Sequence, residues 1–373
     1  MARRDEAAEV GQLTQRALLT VYVLGVIFVV SIGIWLADAN RTPLPPESTP
    51  KQQLPIPMQV PITPVQSAFS GVLLLSPERE LAITPKEGFR ECNNCSKMVA
   101  PAGSFTNPVA LLSLERERAL RPKERFKECD NCPEMVVVSA GKFTMGSPDS
   151  EQRHDPDESP QHSVTFALQF AVGRFAVTFG EWDACVADGG CNGYKPSDQG
   201  WGRGRRPVTN VSWDDAKAYV EWLSRKTAKA YRLLSEAERE YVTRAGTISP
   251  FWWGSSISTM QANYDGDFTY DDGAKGEARG KTVPVDSFQP NPMGLYQVHG
   301  NLYDWVEDCY HDSYRRAPSD GSAWTSEDCS RRVVRGGSWI DDPRSLRSAY
   351  RLKLSTVFRF RNLGFRVART LIP

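Results

Sequence analysis

Seven short runs punctuate the chain from residue 135 onward: MVVVSAGKFTMGS (135–147), RPVTNVSW (206–213), LSEAE (234–238), GLY (294–296), HGNLYDW (299–305), RGGSW (335–339) and NLGFR (362–366). The first reads as strand, Ser-Ala-Gly turn, strand. QHSVTFALQFAVGRFAVT (161–178) continues with β-branched and aromatic alternation. Three helices announce themselves by capping-box patterns: Thr178 with Glu181, Ser212 with Asp215, and Ser235 with Glu238. In the second, Trp213, Ala216, Val220 and Leu223 fall on one face. Gly246 stands where the third should end in a left-handed turn. Beyond it Gly, Asp and Pro dominate, so long loops are expected to carry their own fixings.

Two kinds of fixing are visible. Cys185 and Cys191, and Cys309 and Cys329, are spaced for local disulfides in an exported domain, with free buried thiols the alternative. An oxygen-rich loop holds Asn263, Asp265, Asp267, Asp271, Asp272 and Glu277. Calcium takes six to eight such oxygens, yet no EF-hand spacing is present and a solvated acidic loop reads equally well. The C-terminal part is rich in arginine. Arg344, Arg347 and Arg351, with Trp339, are candidates for a ligand cleft, and ion pairing within the domain is the competing reading.

Upstream the composition changes. ALLTVYVLGVIFVVSIGIWLA (17–37) has no charge and is long enough to span a bilayer. Arg3, Arg4 and Arg16 precede it, which places the N-terminus (1–16) in the cytoplasm and the remainder outside. It reads as an uncleaved signal anchor of the inner membrane with the globular part in the periplasm; a cleaved signal peptide is the alternative. Residues 38–70 form a Pro-rich linker. A duplication follows, with copies at 71–108 and 109–132. Glu78-Arg79-Glu80 matches Glu115-Arg116-Glu117, and Cys92 and Cys95 match Cys129 and Cys132. Each copy reads as a short charged helix, a Pro break, a C-x-x-C turn and a strand. The four cysteines could close two disulfides, hold one zinc ion, or act as redox pairs. The final unit spans 133–373. Lys+Arg and Asp+Glu number 45 each in the 373 residues, so the net charge is zero and a dedicated nucleic-acid binder is excluded. Four histidines, none in a helical H-x-x-x-H pattern, leave little for a His-based metal centre.

The ordered runs from 135 to 366 resemble those of the formylglycine-generating enzyme family, also called the sulfatase-modifying factor domain. The resemblance covers about residues 133–371. It implies an α+β fold of the C-type-lectin-like kind with much irregular loop. Members oxidise a sulfatase cysteine in a C-x-P-x-R segment to formylglycine, using dioxygen and Cu(I) held by two thiolates shortly after the Gly-Gly-Ser-aromatic motif. Here that stretch, IDDPRSLRSAYR (340–351), has no cysteine, and Asp341 stands near the first thiolate position. A carboxylate is a poor Cu(I) ligand. The resemblance also implies two structural calcium sites. One would use Asn263, Tyr264, Glu277 and Arg279; the other would use Asn301, Leu302 and Asp304. Two functions follow as expectations. One is a copper-free binding or accessory module with a protein or peptide partner. The other is a formylglycine-generating oxidase with non-standard ligands, for which Cys309 and Cys329 would have to be free.

Overall fold

The computed structural model describes residues 112–372. The anchor reading of 17–37, the linker and the first duplicated copy with Cys92 and Cys95 lie outside the described residues. Among the described residues no helix is long and apolar enough to cross a membrane.

The architecture is mixed α+β with long irregular connections. A short helix, α1 (Leu114–Arg118), leads into strand β1 (Arg125–Phe126), followed by β2 (Met135–Val138), β3 (Gly141–Met145), β4 (His162–Phe166) and β5 (Phe170–Gly173). Then come α2 (Phe179–Ala187), α3 (Trp213–Thr227), β6 (Tyr231–Leu233) and α4 (Glu236–Arg244). The remaining strands are β7 (Tyr303–Cys309), β8 (Arg331–Arg335), β9 (Arg351–Ser355), β10 (Leu363–Phe365) and β11 (Val367–Thr370). They form a five-stranded sheet in the order β1-β2-β5-β11-β6, a four-stranded sheet β10-β7-β8-β9 and a two-stranded ribbon β3-β4. The Ser-Ala-Gly turn therefore passes the chain from one sheet to another, because β2 pairs with β5 and β3 with β4.

The helices start where their side chains dictate. Thr178, Ser212 and Ser235 each accept from the backbone N–H of Glu181, Asp215 and Glu238, and each carboxylate reaches back to the capping residue. Two donors are thereby satisfied at every start. Helix α4 ends on Ala245 and Gly246, both left-handed at φ 47° and 95°. The amphipathic face of α3 buries Ala216, Tyr219, Val220 and Leu223. They join Trp182, Trp305, Phe365 and Val367 in the main core, where the Trp182 and Tyr219 rings stack at 5.8 Å.

The C-terminal strand β11 runs between β5 and β6, so the chain's last turn closes the larger sheet. In β10, Gly364 is obligatory: a Cβ there would sit 2.4 Å from the Val208 carbonyl oxygen. Among the described residues three disulfides fix the loops: Cys129–Cys132, Cys185–Cys191 and Cys309–Cys329. The segment from α1 to Cys132 belongs to the same core, with Leu120, Phe126 and Cys132 buried in it.

Candidate functional site

The site grows from the turn after β8. Gly336 and Gly337 adopt φ of 100° and 70°. A Cβ on Gly337 would meet the Leu346 side chain at 2.6 Å and the Ser345 carbonyl at 2.7 Å. Only glycine permits so close a crossing. The turn delivers Ser338, Trp339, Ile340 and Asp341 to one edge of the fold.

Asp341 is half-buried. Its carboxyl takes a short hydrogen bond from the Ser338 hydroxyl, which also accepts from Asn362 Nδ2 at 3.0 Å. The Tyr303 hydroxyl lies beside both Asp341 and Ser345, and Tyr350 lies beside Ser345. Burial raises the Asp341 pKa; the bonds from Ser338 pull it the other way without cancelling the shift. The cluster is a hydrogen-bonded carboxyl among hydroxyls, able to donate or accept a proton. It is not a soft ligand set.

Beside it stands an aromatic rim. Trp339 is almost buried, with Trp201 edge-on at 5.3 Å and the Arg361 guanidinium 5.1 Å over its ring. The adjoining loop exposes Val357, Phe358 and Phe360, and Ile340 is exposed as well. Arginine and aromatic side chains together suit planar or anionic ligand groups.

The other cleft candidates are engaged elsewhere. Arg347 is fully buried and pairs with Glu151 at 2.7 Å and with Glu158. Arg351 forks onto Glu236 at 2.6 and 2.9 Å. Arg344 pairs with Asp155 at the surface. Burial opposes ionisation of Glu236, but Arg351 and Arg335 outweigh it and hold its pKa below the usual range. Of the four candidates, Trp339 alone lies on the rim.

The metal expectations are overturned. Among the described residues, no group of three or more His, Cys, Asp or Glu side chains converges to hold an ion. At the first expected calcium site, Asn263 Nδ2 donates to the Lys281 carbonyl and to Asn301 Oδ1, both at 2.9 Å. Glu277 points outward and meets Arg279 at 3.4 Å, while the Tyr264 side chain is buried in a small apolar cluster. At the second, Leu302 is buried. Asp304 receives Arg239 Nε at 2.9 Å and lies 3.7 Å from Arg366, so guanidinium groups stand where a cation would. Asn301 is spent on the backbone of Val283. The zinc reading falls because Cys129 and Cys132 are bonded to each other, at S–S 2.04 Å. Cys309 and Cys329 are likewise joined, which leaves no thiolate pair there for copper.

Several residues of the cluster escaped the sequence reading. Ser338, Tyr303 and Asn362 lie inside the quoted motifs, so the signal was present without a role attached. Tyr350 and Trp201 carried no signal beyond being aromatic.

A family model for the sulfatase-modifying factor enzyme 1-like domain matches residues 121–371. The formylglycine-generating enzyme of Mus musculus is 34% identical over 185 residues, 46% of each chain. The inactive C-alpha-formylglycine-generating enzyme 2 of Mus musculus is 35% identical over 138 residues, 36% of this chain and 38% of that protein. The chain thus spans about half the length, or less, of these curated relatives. The solved structure of PvdO from Pseudomonas aeruginosa is 42% identical, with a TM-score of 0.60, covering 68% of this chain and all of that one. The matched span takes in every run quoted from 135 to 366 and the fold those runs build, and the chain belongs to the sulfatase-modifying factor enzyme 1-like family.

Proposed function

We propose that this protein is an exported, membrane-anchored family member without copper oxidase chemistry, acting as a binding or accessory module through the rim around Trp339 and Asp341. One observation carries the reading: the stretch 340–351 holds Asp341 and no cysteine, and the nearest two thiols, at 309 and 329, are joined. A carboxyl with a raised pKa among hydroxyls offers hydrogen bonds, not thiolates. Relatives named as inactive, at 35% identity, are consistent with loss of that chemistry. The anchor (17–37) tethers the domain through the Pro-rich linker (38–70) and the first duplicated C-x-x-C copy (71–108), with a protein or peptide as partner.

The oxidase reading is tested directly. A thiol count on the denatured, unreduced protein is expected to find none at Cys309 or Cys329. Incubation with a C-x-P-x-R peptide, Cu(I) and dioxygen is expected to yield no aldehyde. Aldehyde above the no-protein control would overturn the proposal. The anchoring is tested by alkaline carbonate extraction of membranes and by protease added outside intact spheroplasts. Release by carbonate, or a globular part that the protease cannot reach, would refute it.

A further inference from the structure

The segment 115–128 reads ERERALRPKERFKE, with six basic and four acidic residues interspersed, yet folding sorts much of it. Two of the four acids turn inward, whereas Glu115 stays exposed and Glu124 lies between. Glu117 is fully buried and accepts from Lys229 Nζ at 2.7 Å, from Arg369 and from the Ile372 N–H. Glu128 is fully buried against the Tyr231 hydroxyl and Arg369. Glu124 is tied to Arg116 and the Arg121 N–H. The bases turn outward: Arg118, Arg121, Lys123, Arg125 and Lys127 are all exposed. Lys123 and Lys127 make no ion pair among the described residues.

This outward face borders a cleft of about 690 Å³ lined by Lys123, Arg125, Lys127, Arg205, Phe126 and Phe175, among others. Its carboxylates are occupied. Glu124 is bound as above, Glu134 pairs with Arg174 at 2.9 Å, and Glu181 caps α2 through Thr178. Of its cations, Arg125 meets Glu134 at 3.5 Å and Arg205 meets Asp286 at 2.8 Å, so Lys123 and Lys127 are the two that face the cavity without an ion pair among the described residues, with aromatic rings at its wall.

We propose that this cleft binds the phosphodiester headgroup of an anionic phospholipid and seats the domain on the membrane surface. The phosphate group supplies the counter-charge that Lys123 and Lys127 lack, and the rings accommodate a glycerol backbone. A free phosphate would satisfy the cations but leave the rings unused. The choice of a lipid source rests on the proposed membrane anchor.

The full chain in neutral detergent should be titrated calorimetrically with dihexanoyl phosphatidylglycerol, dihexanoyl phosphatidylcholine and inorganic phosphate. Saturable binding is expected for the first only, and it should weaken steeply between low and high salt. Lys123→Gln with Lys127→Gln should weaken it about thirtyfold, from about five- to sixfold per basic residue at an anionic surface. Both lysines are exposed, so the melting temperature should not move. Equal binding of phosphatidylcholine, saturation by inorganic phosphate alone, or indifference to the double substitution would overturn the proposal. Carbonate extraction separates the two readings. A chain that is extracted yet binds phosphatidylglycerol loses the anchor and keeps the cleft, whereas a retained chain that does not bind it loses the cleft and keeps the anchor.

Discussion

Arg351 and Arg359 belong to one Arg-rich stretch, yet they serve opposite ends of the energy scale. Arg351 sits in the interior at the start of β9, forked onto Glu236 and bonded to the carbonyls of Asp157 and His311. Beside it, Arg335 reaches Glu240 and three carbonyls, of Ser348, Ala349 and Tyr350. Arg359, beyond the same strand, pairs with Asp215 while its side chain stays 45% exposed. The buried arginines act as cross-links, tying loops whose backbone carbonyls no strand satisfies. The rim arginines, Arg359 and Arg361, keep much of their surface in water. The difference is burial: a buried charge must find its full set of partners, whereas an exposed one is served by water.

The sharpest way to break this contrast is to remove a cross-link. Arg351→Ala strands Glu236 as a buried carboxylate beside Arg335, and the expected loss is about 3–5 kcal/mol in chemical denaturation. Replacing both partners, Arg351→Met with Glu236→Leu, should recover only part of it, because the stranded carboxylate is gone but the Asp157 and His311 carbonyls and the Tyr314 hydroxyl still lose a partner. A loss below about 1 kcal/mol for the single change would show that the interior arginines do not cross-link.

A second test reads the same region by pH. Burial, with Glu236 nearby, pushes the Asp308 carboxyl up to about 7, although it accepts from the backbone N–H groups of Glu236 and Trp324. Between the ordinary carboxyl pKa of about 4 and that raised value, the unfolded chain has lost the proton and the fold retains it. The stabilisation is therefore fully present below about pH 4 and is lost as pH rises through about 7, on the order of 4 kcal/mol in all. Asp308→Asn should flatten this slope in urea midpoints taken from pH 4 to 8. An unchanged slope would mean that Asp308 is ionised throughout.

How much of this was legible beforehand follows the range of the interaction. The three capping boxes are local: a hydroxyl and a carboxylate three residues apart name their own bond, and all three formed. The family motifs carried the fold, because glycines such as Gly337 and Gly364 are demanded by crossings that only one architecture makes. The arginines could not be sorted. Arg347 meets Glu158 across 189 residues, and no spacing rule reaches that far. The calcium expectation failed for the same reason. Asp304 looked free in sequence, but Arg239, from a helix far upstream, neutralises it. Likewise the mixed charges of 115–128 gave no hint that Glu117 and Glu128 would turn inward.

The mildest effects should come from the rim, and they decide whether it is a surface for binding or merely for packing. Arg359→Ala removes an exposed arginine from the buried Asp215, which keeps the Ser212 N–H, and is expected to cost about 1–2 kcal/mol. Phe358 and Phe360 touch each other edge-on, with ring centroids 5.5 Å apart, and each remains about half-exposed. If they only packed, Phe358→Ser with Phe360→Ser would expose buried area elsewhere and lower stability clearly. If they are held out for a partner, the doubly changed chain should melt within about 0.5 kcal/mol of the parent. Water covers those rings in the isolated protein, and serine asks less of it than phenylalanine does. A drop of 2 kcal/mol or more would place these rings among the packing residues and take the rim out of contention as a docking face.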